Sequence, residues 1–188
     1  MILLPVLKKT PSSRIVAQSS ELHKGVPSDI AFASKAEINN DIGATYLYGR
    51  SKLGQILWVR KLNQILTQGS PAGDTTLEKI FVNATHPGGV ATDQQKQAVD
   101  AYGTLGKVGV ALVKPFLSDP VKSGCRPALY AATSDEILSE GITGQYIVPD
   151  KSVTSPSSKG QDDEMADRLW KLQETLLKEK FGQLPYQL

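Results

Sequence analysis

From Leu47 to about Gln68, apolar residues recur at helical spacing, with Leu53, Ile56, Leu57, Leu62, Ile65 and Leu66 on one stripe. This pattern predicts a long amphipathic helix headed by Tyr46-Leu47-Tyr48-Gly49-Arg50-Ser51-Lys52, with Trp58 on an edge of the stripe or at a partner interface. Gln68-Gly69-Ser70-Pro71-Ala72-Gly73-Asp74 carries the breakers that stop it. Two shorter runs have a different character. Arg14-Ile15-Val16-Ala17-Gln18-Ser19-Ser20 begins as a buried strand and ends in two hydroxyls, and Lys79 to Thr85 reads as a second buried strand. Gly144 to Pro149 predicts a short third one. Helices are expected over residues 1–9 with Pro5 early, from Pro120 through Ala132, and from Asp162 to Lys180 with Met165, Leu169, Leu172 and Leu176 inward. Between them lie a long polar loop from Glu21 to Thr45, with a short helix near Ser34 to Asn39, and a Ser, Pro and Gly linker from Ser152 to Gly160. There is no internal repeat.

Strands alternating with helices imply an α/β fold. At 188 residues the chain is sized for one core rather than two domains. Its net charge of +2 comes from basic and acidic residues interspersed along the chain, so no footprint for nucleic acid or a membrane surface is present. The apolar run Met1 to Leu7 is too short to span a bilayer. One cysteine, Cys125, cannot form an internal disulfide, and with only two histidines there is no metal-ligand cluster. A reducing, cytoplasmic setting follows as the expectation.

Tyr48 and Lys52 lie one turn apart on the same helix face, so a phenol and an ammonium can point into one site. A cation beside a phenol favours the phenolate, and the phenol could then exchange a proton with an alcohol or carbonyl. Tyr–Lys pairs at this spacing are also common on helices that do no chemistry. Ser20 is placed at the carboxyl end of a predicted strand, where α/β sheets carry reactive groups. His86-Pro87-Gly88-Gly89-Val90-Ala91-Thr92-Asp93 follows the second strand at once. Its glycines let backbone amides approach a ligand, and Thr92 could donate to an amide or phosphate; a tight turn with a helix cap reads equally well. Gly103-Thr104-Leu105-Gly106-Lys107 lacks phosphate-loop spacing, and no G-x-S-x-G elbow surrounds Ser20. His23 is expected on a surface loop, His86 in a turn satisfied by backbone, and Cys125 as a small buried helix residue. Tyr46, Tyr102 and Tyr146 are expected to pack.

Arg-Ile-Val-x-x-Ser-Ser ending at Ser20, Tyr48-x-x-x-Lys52, and Pro87-Gly88-x-Val90-x-Thr92, in this order, resemble the carboxyl-terminal half of a short-chain dehydrogenase/reductase. The flavour is that of the retinol-dehydrogenase-like and fungal carbonyl-reductase-like group. The resemblance implies half of a Rossmann-type doubly wound parallel sheet, with a catalytic half at 1–92, a substrate lid at about 93–120, and a closing strand and helix at 121–188. It implies that Tyr48 is the general acid/base, that Lys52 lowers its pKa and binds the nicotinamide ribose, and that Ser20 polarises the substrate oxygen. Pro87 and Gly88 would shape a turn from which Val90 and Thr92 hold the carboxamide. The cofactor would be NADP or NAD, NADP slightly favoured, and the substrate a small alcohol or carbonyl compound.

The family's amino-terminal half carries a glycine-rich turn after its first strand, and no G-x-G-x-x-G follows a strand in this sequence. The resemblance therefore implies a truncated domain lacking one βαβαβ unit, with an unpaired edge along Arg14 to Ser20. Two readings follow. One is an oxidoreductase whose turnover is impaired without the missing half. The other is a catalytically inactive interaction protein that pairs, through the Tyr48 helix or the exposed sheet edge, with a second copy or a full-length relative.

Overall fold

The computed structural model describes residues 3–68, 79–89 and 121–182. Its elements are α1 (Leu4–Lys9), β1 (Arg14–Gln18), α2 (Lys35–Asn39), α3 (Ala44–Gln68) and β2 (Phe81–Thr85), followed by α4 (Val121–Gly124), α5 (Arg126–Thr133), α6 (Glu136–Ser139), β3 (Tyr146–Ile147), β4 (Val153–Thr154) and α7 (Asp163–Phe181). The strands form one open mixed sheet in the order β1-β2-β3-β4. The first three run parallel, with Ile15 opposite Val82 and Ala84 opposite Tyr146, and β4 returns antiparallel with Val153 opposite Ile147.

Strand alternation divides the core in two. Ile15, Ala17, Val82, Ala84 and Tyr146 face α3, where they meet Ile56, Val59, Leu62 and Leu66. Val16, Phe81 and Ile147 face the other way, against Tyr130, Ala131 and Ile137 of α5 and α6. Helices therefore cover both faces, as parallel strands require. A third cluster lies on the flank of α3, where Leu53 and Leu57 pack with Ile30, Phe32 and Met165, Ala166 and Leu169 of α7. With the sheet on one side and α7 on another, α3 is the central element. Each of its fully buried aliphatic side chains contributes roughly 1.5–3 kcal/mol. Val59 joins the expected stripe, Ile65 is only half-buried, and Trp58 lies half-buried between two clusters.

Three expectations about elements are corrected. The helix expected from Pro120 to Ala132 divides at Cys125, because Pro127 has no N–H to continue the ladder and instead sits in the first turn of a new helix. A fourth strand, β4, lies within the expected linker. The linker itself is tied down: Gln161 donates to Pro156 O at 3.0 Å, and Asp162 caps α7 by accepting the Met165 N–H at 2.8 Å.

Candidate active site

The carboxyl end of β1 is fastened to the first turns of α3. Ser19 donates its hydroxyl to the Lys52 carbonyl at 2.9 Å, and the Lys52 ammonium donates to the Gln18 carbonyl at 2.9 Å. One turn earlier on the helix, the Tyr48 ring lies beneath that ammonium, 5.2 Å from its centroid, within cation–π range. Beyond the strand, Ser20 begins a 3-10 turn, Glu21–Gly25, as its N-cap; its Oγ accepts the Leu22 N–H at 3.3 Å. This turn lies against α3 at Gly49, where an added Cβ would come within 2.6 Å of the Leu22 carbonyl oxygen. Ser20 is thus bracketed by contacts to residues 49 and 52 of α3, on the stretch that also carries Tyr48.

The segment from Val26 to Gly43, within the polar loop expected from Glu21 to Thr45, is held by charged side chains. The Glu37 carboxylate accepts the N–H groups of Ala31, Phe32 and Ala33 at 2.7–2.9 Å. Burial raises its pKa, but these donors and Arg50 outweigh burial and hold it below the usual carboxylate range. Arg50, only 5% exposed, donates to the Glu37 and Ile38 carbonyls at 2.8 and 2.6 Å, closing the end of α2. Lys159 donates to the Pro27, Ser28 and Ile30 carbonyls from the other side. The result is a segment fixed against α3 at Gly49, Arg50 and Gly54.

At the same end of the sheet lies a cluster the sequence reading missed. His23, expected on the surface, is completely buried. Its Nε2 accepts the Ser157 N–H at 3.0 Å, which leaves the proton on Nδ1 to donate to the Ser20 carbonyl at 2.6 Å. The ring meets Tyr146 edge-on at 5.3 Å, and His86 stacks on Tyr146 at 6.3 Å. The Tyr146 O–H donates to Glu21 Oε1 at 3.4 Å, and the other Glu21 oxygen pairs with Lys24 at 2.6 Å. Burial pushes both imidazole pKa values down and the Tyr146 phenol up, with the Glu21 charge adding to the rise at Tyr146. Two further expectations fail. Cys125 is exposed, and Tyr46 is 47% exposed rather than packed. Tyr146 packs as expected.

Of the residues singled out from sequence, Tyr48 and Lys52 come together, and Ser20 joins them through the strand end. Pro87 and Gly88 follow β2 at the neighbouring strand end, Gly88 with φ +86°, which favours glycine. Val90, Thr92, Tyr102 and the expected lid lie outside the described residues. Glu21 could have been noticed, since it adjoins Ser20; His86, expected in a turn satisfied by backbone, accepts the Gly88 N–H there. His23 could not have been noticed, since its burial depends on where the 3-10 turn docks.

No family model matches the chain. Among curated proteins, bli-4 of Neurospora crassa, named as an oxidoreductase, is 36% identical over 184 residues, covering 95% of this chain and 42% of bli-4. The short-chain dehydrogenase/reductase drtF of Aspergillus calidoustus is 30% identical, covering 90% of this chain and 51% of drtF. This chain is a short-chain dehydrogenase/reductase homologue. Human retinol dehydrogenase 14 is 31% identical, with 94% and 47% covered. The homologue thus spans about half the length of the curated relatives it matches. A solved structure of an uncharacterised protein from Mycobacterium paratuberculosis shares the fold, with a TM-score of 0.54 at 24% identity, over 88% of this chain and 50% of that one.

Proposed function

We propose that this chain carries the proton-transfer half of an NAD(P)-dependent oxidoreductase interconverting an alcohol and a carbonyl, with Tyr48 as general acid/base. The observation that supports the reading most is the Lys52 ammonium, which sits over the Tyr48 ring while bonded to the end of β1. The residues present fit the nicotinamide end of such a cofactor. Lys52 uses one N–H on Gln18 and has others for ribose hydroxyls, and the backbone at Gly88 has no Cβ to obstruct a flat ring. When bound, the nicotinamide supplies or takes up hydride. Tyr48 gives a proton to the carbonyl oxygen in reduction, or takes it from the alcohol in oxidation, and Lys52 stabilises the phenolate charge. Ser20 donates a hydrogen bond to the same substrate oxygen as negative charge develops on it.

In this reading the catalytic part is 1–92, with Val90 and Thr92 on the carboxamide, and residues at about 93–120 close over the substrate. NADP is slightly favoured over NAD, and the location is cytoplasmic. Because the chain matches only about half of each relative's length, its contacts to the cofactor's adenosine and pyrophosphate are few, and its turnover alone is slow. The test is NADPH oxidation by the purified chain with a panel of aldehydes and ketones. Tyr48→Phe is expected to lower turnover by roughly 10²–10⁴-fold. Equal rates in Tyr48→Phe, or no oxidation by a folded sample, would overturn the catalytic assignment.

A second reading rests on the outer edge of β1, which pairs with no strand among the described residues. In it the chain is a non-catalytic partner that associates, through that edge or α3, with itself or a longer homologue.

A further inference from the structure

His86 follows β2, one of the strand ends that the proposed mechanism uses, and ties it to the end of β3. Its backbone N–H donates to the Ile147 carbonyl at 2.9 Å, and its ring, on a residue only 8% exposed, lies nearly parallel to Tyr146. The root and plane of the imidazole are therefore fixed. Nδ1 accepts the Gly88 N–H at 3.2 Å, across Pro87, and Nε2 faces Glu21 Oε1 at 3.7 Å. This is the arrangement of an Asx turn, in which a side-chain acceptor holds the N–H two residues on. A ring nitrogen accepts only while it is unprotonated.

We propose that His86 is a positioning residue for the Pro87–Gly88 turn, its bare Nδ1 holding the Gly88 N–H and a proton at that nitrogen releasing the turn. Protonation would set two donors, Nδ1–H and Gly88 N–H, against each other in a buried place. The charges facing the ring come from two elements. From the 3-10 turn, Glu21 favours the imidazolium while Lys24 and His23 oppose it, and from β3 the Tyr146 phenol shares the Glu21 oxygen. Burial opposes the imidazolium more strongly than any of these charges acts, so the turn is held at neutral pH and released in acid. The consequence for ligand rests on the cofactor reading above: a turn that seats the nicotinamide would lose affinity as His86 takes up its proton.

The test is a pH titration from 8 to 5 of the ¹⁵N-labelled chain without cofactor, following the His86 ring nitrogens and the Gly88 amide. The Gly88 resonance is expected to move with the His86 midpoint, and its intrinsic-rate-corrected exchange to quicken about tenfold, the scale of one hydrogen bond. His86→Asn retains an acceptor but cannot take up a proton in this range, so Gly88 should stay protected throughout. His86→Leu should leave Gly88 unprotected at every pH. A Gly88 amide indifferent to the His86 titration would overturn the proposal, as would an Asn variant no better protected than wild type in acid. Both outcomes are readable even if the Leu variant fails to fold. NADPH affinity over the same range is a separate arm: constant affinity beside a titrating Gly88 would overturn the turn's cofactor role and leave the positioning role standing.

Discussion

Gly49 shows how a single missing Cβ positions the site. The Leu22 carbonyl oxygen occupies the space a side chain would take, and Leu22 belongs to the turn that Ser20 caps. Gly49→Ala should push the turn off α3 and destabilise the protein by about 1–3 kcal/mol, as overpacking does, measured by urea denaturation. Gly25, in the same turn, has nothing within 4 Å of an added Cβ, and Gly25→Ala should stay within about 0.5 kcal/mol of wild type. Equal effects would contradict the account. At this scale the sequence showed only what its spacing encodes. Tyr48 and Lys52 are neighbours because of helical geometry alone, so they were legible. The burial of His23 depends on Ser157, far along the chain, and the exposure of Cys125 on a helix break at Pro127. The first leaves no local signal, whereas the second was signalled by Pro127 two residues on.

Among elements, α3 was readable because its apolar period is sustained over 25 residues and its end carries breakers. The two-residue strand β4 has no period to read. The loop from Val26 to Gly43 was legible as polar, but its rigidity was not, because it comes from Glu37, Arg50 and Lys159 satisfying backbone groups rather than from apolar packing. Arg50→Leu keeps much of the volume and removes the donors, leaving the Glu37 and Ile38 carbonyls without that partner. It should cost about 2 kcal/mol and speed amide exchange through α2, while exchange in β2 shifts only with global stability. Faster exchange spread evenly over the chain would contradict a local clamp.

For the whole molecule, the open α/β sheet with helices on both faces was legible from alternating strand and helix patterns, and homology agrees with it. The site lies at the carboxyl ends of β1 and β2, with α3 crossing beside them, the region where such sheets bind ligands. Tyr48, Lys52 and the strand end that carries Ser20 converge there. The proposal that they serve a nicotinamide cofactor is tested by direct titration with NADPH and then NADH. Fluorescence transfer from Trp58 and Trp170 would report binding, with sedimentation run alongside. On the proposed reading NADPH binding is saturable, weak at on the order of 0.1–1 mM, and further weakened by Lys52→Met. A folded chain that binds neither nucleotide at millimolar concentration would contradict it, and self-association in that sample would favour the non-catalytic partner instead.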